Sequence, residues 1–251
     1  MPLFVKQEGT GPSRIALLHG FGGSHAAWSA VQPALAREAT TLAYDLPGHG
    51  ASFDYPDAGP AKVAAQAILA DLAERSDGPV HLVGHSMGGA IATLIAMFDP
   101  ARVASLTLLA PGGFGPEINH RLLVRFSEAR DATQVRACLE AMTGWFSEVS
   151  EEAVENALMT RAEGRHEKLM AMAQGLAKDG RQGQLPRDKV AALPMPVTLV
   201  WGELDNVLPA RHVRDLPAHF DIRIFPDLGH MLPDEAPAEM VEIIRQRVGL
   251  G

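Results

Sequence analysis

A serine flanked by small residues stands in the middle of this chain, in Gly84-His85-Ser86-Met87-Gly88. The apolar run Pro79-Val80-His81-Leu82-Val83 enters this segment, and the helix-like run Gly89-Ala90-Ile91-Ala92-Thr93-Leu94-Ile95-Ala96 leaves it. A strand-to-helix reversal this tight closes only with small neighbours and presents its central side chain outward, so Ser86 reads as a nucleophile. A serine hydroxyl attacks well only when a base removes its proton in the transition state, and a neutral imidazole suits that task near neutral pH. His230, in Gly229-His230-Met231, is the candidate base. Its ring needs a carboxylate on the second nitrogen to fix the tautomer and offset the developing charge. Asp205 is the candidate, because it follows an apolar run and precedes Val207-Leu208-Pro209, which should open the next helix. Asp227 and Asp234 are the competitors. Asp227 lies so close to His230 in sequence that it should cap or orient their shared loop.

Short β-branched or Leu-rich runs position these residues. Ile15–Leu18, Thr40–Tyr44, Val80–Val83, Val103–Leu109, Val197–Trp201 and Ile222–Phe225 have the length and composition of buried parallel strands. Helical patterns alternate with them over Ala27–Glu38, Ala61–Ser76 and Ser86–Phe98. This order predicts an α/β fold, a mostly parallel doubly wound sheet covered on both faces. The alternation breaks once, between Gly112 and Pro194. That stretch is filled by helical segments at His120–Arg130, Thr133–Met142, Glu151–Ala162 and His166–Lys178, and is too long for a plain loop. The expected organisation is therefore a core of residues 1–111 and 195–251, with a helical lid inserted over 112–194. Ligands of open parallel sheets bind beyond the carboxyl ends of the strands, where Ser86, Asp205 and His230 all fall.

With His19-Gly20-Phe21-Gly22-Gly23, Asp45-Leu46-Pro47-Gly48-His49-Gly50, Gly84-His85-Ser86-Met87-Gly88-Gly89, Trp201-Gly202-Glu203-Leu204-Asp205 and Gly229-His230-Met231 in this order, the chain resembles the α/β-hydrolase family over nearly its whole length. The order nucleophile, acid, histidine is that of this family. The resemblance implies an α/β-hydrolase fold and an oxyanion hole made by the backbone N–H groups of Phe21 and Met87, which would stabilise a tetrahedral intermediate. Ala110–Asn119 is similar to the lid entrance of two subgroups: carbon-carbon hydrolases of ring-cleavage products, and the acyltransferase domain of the acetoin dehydrogenase complex. The first carries Asn where His85 stands and Trp where Met231 stands; the second carries a lipoyl domain ahead of this frame. The expectation is a cofactor-free serine hydrolase acting on a small carboxylic ester or thioester. Carbon-carbon hydrolysis or acyl transfer is the alternative, and a ligand receptor on the same fold the non-enzymatic one.

Composition narrows the remaining classes. The 251 residues are 47% hydrophobic, enough for one large core, and the net charge of −8 offers no footprint for nucleic acid or an anionic membrane. No secretory signal or membrane-spanning run is visible, so a cytoplasmic location is expected. The single cysteine, Cys138, should pack in a helix. The histidines lack metal-ligand spacing and no nucleotide motif occurs, so neither a metal nor a cofactor is expected. His19, His49 and His85 should hold their loops by hydrogen bonds. The substrate pocket should draw apolar surface from lid residues, with Leu122, Phe126, Met142, Trp145, Phe146, Met159 and Met170 as candidates, about half of which merely close the lid.

Overall fold

A computed structural model describes residues 1–161 and 164–251 of the chain. Its strands are β1 (Val5–Glu8), β2 (Arg14–Leu18), β3 (Thr40–Tyr44), β4 (Val80–His85), β5 (Val103–Leu109), β6 (Ala177–Lys178), β7 (Arg181–Gln182), β8 (Val197–Gly202) and β9 (Asp221–Phe225). Its α-helices are α1 (Gln32–Leu35), α2 (Ala61–Arg75), α3 (Met87–Phe98), α4 (His120–Glu128), α5 (Ala132–Met142), α6 (Glu151–Met159), α7 (His166–Gly175), α8 (Arg187–Ala191), α9 (Leu232–Glu235) and α10 (Pro237–Val248). Seven strands form one sheet in the order β1-β3-β2-β4-β5-β8-β9; β1 is antiparallel to β3 and every other pair is parallel. This is the α/β-hydrolase arrangement that the motif order predicts.

The inner strands bury both faces, as in β3 and β8, where every residue is buried. That is why they read as continuous apolar runs. Helix α3 packs on β4 and β5 and against α2, while α1 and α10 meet over β3 and β5. Trp28, Tyr44 and Trp201 fill the largest fully buried positions of the core. Between β5 and β8, α4 packs on α5 and α7, and α5 on α6, while α6 also reaches the short 3₁₀ turn His25–Trp28. Side chains of Asn119, Asp131 and Ser150 accept the N–H groups of Leu122, Gln134 and Ala153, starting α4, α5 and α6.

Four expectations need correction. Ala27–Glu38 is not one helix but the 3₁₀ turn followed by the single turn α1, because Pro33 sits at the start of α1 and removes a donor that a continuous helix would need. The polar edge strand β1 and the hairpin β6–β7, whose antiparallel register pairs Ala177 with Gln182, escape a reading tuned to buried strands. The helix expected to run to Lys178 ends at Gly175 to make room for that hairpin. Of the helix expected over Glu151–Ala162, α6 covers Glu151–Met159, and Ala162 lies outside the described residues.

Candidate active site

Ser86 connects β4 to α3 with φ +52° and ψ −116°, a backbone conformation costly for a residue with a side chain. Two glycines make the reversal possible by close approach. A Cβ on Gly84 would lie 2.4 Å from Gly88 O, and one on Gly88 would lie 2.2 Å from Leu18 O. The chain therefore turns from β4 into α3 against the end of β2, with no room for any other residue at either position. The end of β2 lies equally near: a Cβ on Gly20 would sit 3.2 Å from Ser86 Cβ, which places Phe21 beside the serine.

Asp205 follows β8 and His230 follows β9, and the structure brings them together: His230 Nδ1 lies 2.8 Å from Asp205 Oδ2. Both side chains are buried. Asp205 is itself held by Trp201 Nε1, which donates to Oδ2 at 3.1 Å, and by Val207 N and Leu208 N, which donate to Oδ1 at 2.8 Å each. Neither competing acid bonds to His230 among the described residues: Asp227 is exposed, and Asp234 faces a cavity wall. Ser86 and His230 line one cavity of about 90 Å³, together with Phe126, Leu139, Met142 and Asp234. No hydrogen bond joins Ser86 to His230 across it among the described residues. Asp234 lines this cavity as an exposed residue, and the protein packed around its carboxyl, and then the neighbouring Glu235 and Glu152, shift its pKa upward.

Ser86 also borders a second cavity, of about 290 Å³. Met87, Leu94, Ile118, Leu185 and Gln182 line it. Gln182, on β7, accepts from Gly113 N and donates to Glu117 O, so the hairpin missed in the sequence roofs this side. The N–H groups of Phe21 and Met87 donate to no carbonyl in the loops that carry them, and both residues border the space around Ser86.

The rim histidines are spent on structure. His19 Nδ1 donates to Gly20 O at 2.7 Å while its Nε2 accepts from Leu46 N at 3.0 Å. His49 Nε2 accepts from Gly22 N at 3.2 Å, and His85 Nε2 donates to His230 O at 2.8 Å. Burial lowers their pKa values to about 4 for His19 and about 3 for His49 and His85, so all three are neutral. Asp45 anchors the neighbouring loop by accepting from His25 N, His25 Nδ1 and Ala51 N. Burial opposes its charge, yet these hydrogen bonds outweigh it and hold the carboxyl below the usual carboxylate range.

The expected pocket residues between β5 and β8 divide sharply. Phe126 and Met142 line the 90 Å³ cavity, and the Arg161 guanidinium stacks 4.1 Å from the Phe126 ring while Thr160 Oγ1 donates to Gly22 O. Leu122 is buried without lining either cavity, and Met170 is half-buried. Trp145, Phe146 and Met159, expected as lining candidates, are instead 80%, 79% and 69% exposed. Cys138 is buried in α5, as expected. Among the described residues no group of three His, Cys, Asp or Glu could hold a metal, and no helix is long and apolar enough to cross a membrane. The sequence reading missed Glu235, whose carboxylate braces the His230 loop. An acid at a helix end reads as an ordinary cap, so no signal separated it from its neighbours.

Comparison with known proteins gives a consistent family. The model of the alpha/beta hydrolase family matches residues 15–243. Lipase LipV of Mycobacterium tuberculosis is 32% identical over 98% of this chain and 98% of its own length. The acetyltransferase component of the acetoin cleaving system of Cupriavidus necator is 31% identical over 97% of this chain, which spans 65% of that protein; its Pseudomonas putida counterpart is 36% identical, with 62% spanned. A meta-cleavage product hydrolase of Pseudomonas fluorescens superposes with a TM-score of 0.86 over 98% of this chain and 94% of that one, at 18% identity.

Proposed function

This chain belongs to the alpha/beta hydrolase family, and from that premise we propose that it is a serine hydrolase cleaving a small carboxylic ester or thioester through an acyl-enzyme on Ser86. The observation that carries this reading is the 2.8 Å contact of Asp205 Oδ2 with His230 Nδ1 on the cavity wall that the strained Ser86 shares. Esterases and a lipase among the relatives support it, including a pimeloyl-[acyl-carrier protein] methyl ester esterase of Aeromonas hydrophila that is 28% identical.

In this mechanism Ser86 Oγ forms a bond to the carbonyl carbon as its proton passes to His230 Nε2. Asp205 holds the Nδ1 proton and offsets the imidazolium charge. The carbonyl oxygen becomes an anion between Phe21 N–H and Met87 N–H, the latter at the positive end of α3. Collapse breaks the bond to the leaving oxygen or sulfur, which takes the proton from His230. Water then attacks the acyl-enzyme with His230 as base, releasing the acid and restoring Ser86. Two cavities meeting at the serine suit a substrate with an arm on each side of its carbonyl. Acyl transfer is the second reading, favoured by the acetoin-system relatives; a thiol would replace water in the second half.

The test is Ser86→Ala with fluorophosphonate labelling. Removing the nucleophile should cost on the order of 10⁴-fold or more in ester turnover and abolish labelling. A variant that keeps a tenth of wild-type turnover refutes the assignment. Wild-type protein that binds esters without labelling or turnover would be a receptor.

A further inference from the structure

The His230 loop is braced by a carboxylate that the mechanism above does not use. Glu235 Oε1 accepts from Met231 N at 2.8 Å, and its Oε2 accepts from Gly229 N at 2.8 Å, so one side chain holds both neighbours of His230. The same Oε2 accepts from Gly144 N at 2.8 Å, just beyond the end of α5. Two further bonds complete the brace: His230 N donates to Met142 O at 2.7 Å, and His85 Nε2 donates to His230 O. The contact between the two loops leaves no spare space. A Cβ on Gly229 would lie 2.6 Å from Gly144 N, and one on Gly144 would lie 2.3 Å from Asp227 O.

We propose that Glu235 is a positioning residue: it registers the His230 imidazole between Asp205 and Ser86 and couples that register to the helical segment that follows β5. The inference rests on His230 being the base of the proposed mechanism. A carboxylate is acceptor-only, with two oxygens able to serve three N–H groups, and such charge-assisted bonds are stronger than neutral ones. Glutamine at this position has one oxygen, so at least one N–H would face its amide donor and lose its acceptor. The loop would shift to relieve that contact, and a misplacement of about 1 Å at a catalytic group costs on the order of 10² in rate. The fold itself rests on the sheet core and should tolerate the change.

The experiment measures kcat, KM, the rate of Ser86 labelling by a fluorophosphonate, Tm, and the low-field proton resonance of the His230 Nδ1–H in wild type, Glu235→Gln and Glu235→Asp. Ile244→Val, a core change in α10 away from the site, supplies a destabilised control. The expected result for Glu235→Gln is a kcat and labelling rate lower by about 10- to 100-fold, KM within about threefold, and a shifted or broadened low-field resonance. Glu235→Asp, which keeps the charge but is one methylene short, should fall between the two, and it carries the test if the glutamine variant does not fold. Retention of kcat within threefold of wild type, or a loss no greater than that of a control with the same Tm, overturns the proposal. Failure of the underlying mechanism is separate: wild-type turnover would then survive Ser86→Ala, whatever Glu235 does.

Discussion

Replacing Asp205 by asparagine tests the proposed acid with almost no change of shape. The outcome turns on which way the amide is seated. In one orientation its oxygen accepts from Val207 N and Leu208 N, as Asp205 Oδ1 does, and its NH₂ faces His230 Nδ1 and Trp201 Nε1. Trp201 loses little, because its Nε1 also donates to Leu208 O at 2.8 Å. His230 can adapt only by moving its proton to Nε2, where it cannot accept the proton of Ser86. The flipped amide would rescue the histidine but aim its NH₂ at two buried backbone N–H groups, each costing about 1–3 kcal/mol when left unpaired. The first seating therefore wins by roughly 2–6 kcal/mol, and the enzyme is trapped in the wrong tautomer. The expected loss in kcat is about 10⁴-fold, equivalent to about 5 kcal/mol of transition-state stabilisation, with Tm nearly unchanged. Steady-state hydrolysis of a p-nitrophenyl ester measures it, with Asp227→Asn as the exposed control expected to lose at most about tenfold. An Asp205→Asn enzyme keeping more than a tenth of its kcat, or a larger loss in the control, would refute the reasoning.

Three other outcomes follow from the site. Phe21→Ala keeps the backbone donor and should change mainly KM, whereas Phe21→Pro deletes it and should lower kcat by about 10²- to 10³-fold; equal mild losses in two folded variants argue against an oxyanion role. Trimming Phe126 or Met142 to Ala should change the kcat/KM profile over esters of increasing chain length by up to about fourfold per methylene, while Trp145→Ala and Phe146→Ala should leave that profile unchanged. A profile sensitive to the exposed pair instead would place the pocket elsewhere. The raised Asp234 pKa means that the native state holds a proton the unfolded chain has released, so stability falls as pH rises from the ordinary carboxylate range to about 7. Asp234→Asn should thus gain Tm relative to wild type between about pH 5 and about pH 8, modestly because the group is open to cavity solvent, and a Tm difference flat with pH would contradict this.

The parts most legible in the sequence are those where one interaction dominates. Thr40–Tyr44 and Val103–Leu109 match β3 and β5 to the residue because both faces are buried and the apolar run has the length of the strand. The placing of Ser86 and Asp205 on one rim was legible because each follows such a strand, while His230 follows the part-exposed edge strand β9, legible only as a short apolar run. Elements governed by local chemistry were harder. The turn of the β6–β7 hairpin carries Asp179-Gly180, both at positive φ, a recognised hairpin dipeptide, but strands of two residues give no periodicity to notice. Trp145 and Phe146 have the composition of pocket lining, yet they sit in a loop, where no helical face directs them inward. Glu235 was unreadable because its partners are backbone N–H groups from segments brought together only by the sheet.

The three neutral rim histidines set the conditions under which this protein can survive. Their pKa values lie below that of a free imidazole, so between about pH 6.5 and about pH 4 the unfolded chain takes up protons that the folded chain refuses. Each of the three lowers stability by up to about 1.4 kcal/mol per pH unit across that range. A domain of about 5–15 kcal/mol would exhaust its margin within a few units. Acidification would thus destabilise the fold through these three histidines, whose hydrogen bonds tie the loops at the ends of β2, β3 and β4. Calorimetric Tm values should fall steeply below about pH 6, and substituting His49 by a neutral isostere that folds should flatten that descent.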